Sequence, residues 1–151
     1  QHMSEVFLLK HKNLVDWNIA SEHQVLSEEF IINNLILITM NNVGKTAKFT
    51  EKFIIDNKDE LNWNFICQYQ DLSEKLMQDH FSYLNWRYVS KHQCMGSDFI
   101  CQFVDKIDFS NIADNEGVSM SSKQMYMIQY MNPNISVIDM QKIKNKSNKK
   151  K

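Results

Sequence analysis

A chain of 151 residues, 43% apolar and 23% charged, has room for one ordinary domain with a sizeable core. Three glycines and one proline are too few for the tight turns of a sandwich or barrel, and three cysteines without metal-type spacing argue against a disulfide scaffold. The formal charge of −1 hides a segregation: Lys142 to Lys151 hold six lysines and no acid, which leaves the rest at −7.

Gln1 and His2 read as a cloning scar ahead of a start at Met3. No secretory signal is visible, because Lys10 and Lys12 follow the apolar run Val6 to Leu9 instead of preceding it. The longest apolar stretch, Phe30 to Met40, is interrupted by Asn33 and Asn34 and is too short to span a bilayer. The expected location is therefore intracellular, with no membrane partner.

From Met3 onward the chain repeats in steps of 23 residues without gaps. Met3-Ser4-Glu5 returns as Leu26-Ser27-Glu28, Phe49-Thr50-Glu51, Leu72-Ser73-Glu74 and Met95-Gly96-Ser97. Trp17, Met40, Trp63, Trp86 and Phe109 share a column, as do Ala20, Val43, Ile66, Val89 and Ile112. The residue before the tryptophan column is Asp16, Thr39, Asn62, Asn85 or Asp108, each able to cap a helix N-terminus. The apolar residue before each cap pairs with one five positions on, as in Leu61 and Ile66, the spacing of a hydrophobic staple. Ser27, Thr50 and Ser73 cap a second helix, with Glu28, Glu51 and Glu74 at its first position, where the helix dipole favours an anion. Each unit thus predicts two helices, roughly 17–24 and 28–34 in the first full repeat.

Two-turn helices cannot stand alone in water, so neighbouring units must supply the core. The expected fold is all-α: a helical-repeat solenoid of about five two-helix units with degenerate terminal caps. The reading divides the chain into a half-repeat at 3–14, repeats at 15–37, 38–60, 61–83, 84–106 and 107–129, a cap at 130–140 and a disordered basic tail at 141–151, with 3–140 as a single domain. In the last repeat the expected Phe and Ile become Ser122 and Lys123, and a closing segment places Pro133 in a first helical turn ahead of Ile135 and Ile138. The column Ser21, Gly44, Cys67, Ser90, Ala113 is always small, which predicts close helix approach. Gln24, Gln70 and Gln93 are expected to bond the backbone of the turn into the second helix.

The pattern Asn62-Trp63-x2-Ile66-x3-Gln70-x-Leu72-Ser73-Glu74 resembles short tandem repeats present in many copies in proteins of large DNA viruses, phages and some bacteria. The resemblance runs from about Met3 to Ile112 and implies a helical repeat array, with no catalytic residues to transfer. The copy at 38–60 departs from it, with Met40 in the tryptophan column and Ala47 in the glutamine column.

No catalytic, metal or cofactor constellation emerges. Gly44-Lys45-Thr46 is like the end of a P-loop, but Thr39 stands where the motif needs its first glycine. His23 and His92 share a column three repeats apart, His80 sits with Asn34 and Asn57 near the end of a second helix, and Cys94 and Cys101 have no zinc spacing. The first helices do offer an aromatic stripe: Phe65, Tyr69, Tyr88 and His92, with His23 in the same register. If exposed, these five are the candidate partner-binding residues. The expected function is non-enzymatic protein–protein interaction, in keeping with the resemblance a viral or phage factor that binds and inhibits a host or defence protein. The acidic body would suit a basic partner. The alternative is nucleic-acid binding through the lysine-rich tail and the aromatic stripe.

Overall fold

The computed structural model describes residues 2–43, 47–118 and 120–149, with the side chains of all but 41 and 146–149 among them. Those residues form twelve helices and no strand. The fold is all-helical with a 23-residue period. The first helix of each repeat begins at Trp17, Met40, Trp63, Trp86 and Phe109, giving α2 (Trp17–His23), α4 (Met40–Val43), α6 (Trp63–Tyr69), α8 (Trp86–His92) and α10 (Phe109–Asp114). The second helix begins at Glu5, Glu28, Glu51, Glu74 and Ser97, giving α1 (Glu5–Lys10), α3 (Glu28–Asn33), α5 (Glu51–Asp56), α7 (Glu74–Asp79) and α9 (Ser97–Gln102). The chain packs as two compact units, Gln1–Gln70 and Asp71–Lys151.

The caps form where the sequence puts them. Asp16, Asn62, Asn85 and Asp108 accept from the N–H groups of the first turns of α2, α6, α8 and α10. Ser4, Ser27, Thr50 and Ser73 do the same for α1, α3, α5 and α7. Thr39 differs: its hydroxyl donates to Asn18 Oδ1 at 2.7 Å. Gly96 precedes α9 with no side chain to offer. Several staple pairs are buried, Leu61 with Ile66 and Leu84 with Val89 among them, whereas Val15 is half-buried and Met3 exposed. At the other end of the second helices, Asn34 and Asn57 donate to the carbonyls of Phe30 and Phe53, each at 2.8 Å, which satisfies orphan acceptors. His80 is the corresponding C-cap residue of α7.

What joins one repeat to the next is a set of polar bonds at the same register. Gln24 Oε1 accepts from Met3 N at 2.9 Å, Gln70 Oε1 from Phe49 N at 2.7 Å and Gln93 Oε1 from Leu72 N at 2.9 Å. Each glutamine therefore serves the connector of the preceding repeat. Ser21 Oγ accepts from Thr39 N at 3.1 Å, and Ser90 Oγ from Asp108 N at 2.9 Å, so two members of the small column hold the next repeat's first-helix start. Cys67 is fully buried and Ala113 nearly so, whereas Gly44 lies outside the described residues. Glu5 accepts from Ser27 N at 2.6 Å and from its hydroxyl at 3.2 Å; Glu28 binds Thr50 in the same way, and Glu74 accepts from Gly96 N. A typical intramolecular hydrogen bond contributes about 1 kcal/mol net, and losing a buried one costs more. Among the described residues no buried side-chain nitrogen or oxygen lacks a partner.

The C-terminal end departs from the sequence expectation. The last second-type helix, α11 (Ser122–Met131), is capped by Ser121 with Gln124 completing a capping box, and Met120 and Met125 are buried as its staple pair. The strict 23-residue step would place that cap at Ser119, which lies outside the described residues; the local Ser-x-x-Gln signal moves the helix start by two positions. Pro133 lies in a turn and not in a helix, Ile135 is buried and Ile138 is exposed. Residues 141–149 of the tail expected to be disordered belong instead to α12 (Val137–Lys149), which packs on α10 and α11; 150 and 151 lie outside the described residues. Met140 and Ile143 are buried, an i, i+3 pair that turns a lysine-rich sequence into an amphipathic end cap.

Candidate partner-binding faces

The five residues singled out by register fall in different environments. In the first unit, His23 ends α2 and is exposed, whereas Phe65 on α6 is 1% exposed. Phe65 stacks at a tilt on Phe49, with ring centroids 6.2 Å apart, and on Tyr69 at 5.3 Å. Phe65 is therefore a core residue and leaves the candidate surface: the preceding repeat covers its side of the helix. Tyr69 is half-buried, and its backbone carbonyl accepts from Lys48 Nζ at 3.5 Å. In the second unit, half-buried Tyr88 lies 6.2 Å from the exposed ring of His92. Desolvation, followed by the neighbouring Lys91 charge, holds His92 below the ordinary histidine value.

The residues of an exposed face lie elsewhere. In the first unit Met3, Phe7, Leu14, Val15, Ile19 and Ala20 line a groove of about 330 Å³ between α1 and α2. Leu14 is 85% exposed, Ile19 58% and Phe7 47%. Polar groups reach the groove only from His11, Asp16 and Gln24. The opposite side of α2 is occupied: Asn42 Nδ2 donates to the Asn18 carbonyl at 3.2 Å, and Ser21 holds Thr39. The signal is present in the repeat itself. Ile19 stands 46 residues before Phe65, in the same register, yet only Phe65 is covered.

In the second unit Tyr126 and Tyr130 on α11 are 75% and 79% exposed. Tyr126, Gln129, Val137, Gln141 and Lys144 line a smaller groove of about 190 Å³ where α11 meets α12. By the 23-residue step Tyr126 falls with Asn34, Asn57 and His80 and Tyr130 with Leu61 and Leu84, but the two-position shift in the start of α11 takes both out of that register.

Among the described residues no three His, Cys, Asp or Glu side chains are placed to hold a metal ion. Cys67 is buried, and burial, then the Asp98 charge, pushes the Cys101 thiol up, away from the reactive thiolate. Gly44-Lys45-Thr46 lies outside the described residues. No described helix is long and apolar enough to cross a membrane. No family model, curated protein or solved structure matches the chain.

Proposed function

We propose that the chain is a non-enzymatic protein-binding module whose groove between α1 and α2 seats an amphipathic helix of a protein partner. The supporting observation is the difference between Ile19 and Phe65. In the same register, one side chain is enclosed by a neighbouring repeat and the other is open. The open position is shaped for what the repeat normally puts there, a short helix with an apolar face, and helix-in-groove docking is a common recognition mode. Residues 1–119 carry a net charge of −7, which favours a partner with a basic surround and speeds its encounter. With the resemblance to tandem repeats of viral proteins, the reading extends to a factor that occupies a host or defence protein.

A labelled peptide of residues 84–95 tests the seat, because α8 within it packs on α10 one repeat later, as a partner helix would pack on α2. The peptide should bind the full chain, Ile19→Asp should abolish that binding, and proteins captured from native cells should be displaced by the same peptide. Unchanged capture by Ile19→Asp would remove the groove from the account.

A further inference from the structure

We propose that the face formed by α11 and α12 binds single-stranded nucleic acid. From residue 120 to 151 the chain holds seven lysines and one acid, Asp139, a local charge of +6 on a molecule that is otherwise acidic. The described lysines of this segment, Lys123, Lys142 and Lys144, are all exposed. On α11, Lys123, Tyr126 and Tyr130 follow one another at i, i+3 and i+7, which places them on one face. The two tyrosine positions are one turn apart, about 6 Å of helix rise. Tyr126 and Gln129 line both the groove against α12 and the adjoining hollow that Tyr130 completes, so the two depressions run together along α11. Lys144 and Gln141 form the opposite wall of the groove.

These parts match what a flexible polyanion with flat bases requires. Exposed aromatic rings give every base a stacking surface, lysine ammonium groups neutralise phosphates, and glutamine amides offer both donors and acceptors to base edges. A duplex hides its base faces and leaves the tyrosines without work, which selects the single strand. An acidic peptide would use the lysines but not the rings. This face belongs to the second unit and is independent of the groove between α1 and α2, so each can fail without the other.

The test is fluorescence anisotropy of the full chain with a labelled oligo(dT) of about 15 nucleotides at several salt concentrations. Tyr126→Ala with Tyr130→Ala should weaken binding on the order of 10- to 100-fold and leave the salt slope unchanged, whereas Tyr126→Phe with Tyr130→Phe should retain it. Lys142→Gln with Lys144→Gln should reduce the slope of log affinity against log salt by about 0.7 for each phosphate no longer neutralised. All four side chains are exposed, so thermal melting of the variants should match the parent. Absence of binding at low salt overturns the proposal. So does equal affinity of the alanine double variant, equal competition by polyglutamate, or stronger binding to vesicles of anionic lipid than to the oligonucleotide.

Discussion

Gln70 Oε1 accepts the backbone N–H of Phe49 at 2.7 Å, while its Nε2 donates to the carbonyl of Ala47 at 3.1 Å. One amide thus closes both the donor and the acceptor of a connector 21 to 23 residues earlier, and it is 1% exposed. A glutamine recurs at this register because the connector between the two helices of a repeat has backbone groups that no helix satisfies. Gln70→Ala should cost about 2 kcal/mol or more, since the buried Phe49 N–H and the part-buried Ala47 carbonyl would both lose their partner. Gln24 serves Met3, which is exposed so that water can replace the bond, and Gln24→Ala should cost about half as much in a urea titration.

Phe65 and Ile19 occupy one column but should respond differently to truncation. Phe65→Ala opens a cavity against Phe49 and Tyr69 and should cost about 3–5 kcal/mol. Ile19→Ala, at an exposed site, should change stability by less than about 0.5 kcal/mol. Equal losses in denaturant unfolding would mean that α2 is covered in solution.

Gly96 interrupts the Ser27, Thr50, Ser73 column: its N–H still donates to Glu74 as that of Ser27 does to Glu5, but α9 has no side-chain cap. A Cβ at this position would lie 3.1 Å from Glu74 Oε1, the flexible end of a side chain. Ser27 and Glu5 already hold the same pair of groups together. Gly96→Ser should therefore stabilise the chain by a few tenths of a kcal/mol, about 0.3, measured as a raised denaturation midpoint. A lowered midpoint would show that Glu74 cannot yield.

Burial by itself would raise the Asp108 carboxyl, but bonds from the side chains and backbone of Ser110 and Asn111 outweigh it and hold the group below its ordinary 3.8. The folded value is the lower one, so the stability it supplies is complete above pH 3.8 and is lost as pH falls through the folded value. Asp108→Asn keeps a capping side chain without the charge. The stability gap between parent and variant should be constant from neutral pH down to the ordinary carboxyl value and shrink below it. A gap that widens on acidification would contradict the bonding seen here.

α12 carries the lysines, yet Ile143 in its middle is fully buried. Ile143→Ala should cost about 2–5 kcal/mol, and removal of residues 141–151 should lower the melting temperature of the second unit even with no ligand present. Unchanged melting after that truncation would return the segment to a loose tail.

Much of the fold is legible in the residues because its signals are local. A cap and its N2 or N3 amide, or a staple pair, lie within five positions of each other in the chain, so Asp16, Ser27, Leu61 and Ile66 announce helix starts without knowledge of any neighbour. Extrapolating the step to Ser119 passes over the stronger local pair Ser121 and Gln124. The candidate surface is less legible. Register puts Phe65, Tyr69, Tyr88, His92 and His23 in phase on their helices, but burial depends on which repeat lies against each one.

Order along the chain was enough to set the 23-residue period, the two helices per repeat, their starts and the apolar columns, because helix capping and amphipathic spacing act over a few neighbouring residues. Packing was needed to decide that Gln24 and Gln70 reach back to the preceding repeat and that Glu5 and Glu28 reach forward to the next. It also decided that Phe65 is enclosed while Ile19 is open, and that Ile143 draws a run of lysines into a packed helix. The reason is the range of the interaction: hydrogen bonds between groups 18 to 23 residues apart, and the exclusion of water from a helix face, exist only once another repeat has arrived beside it.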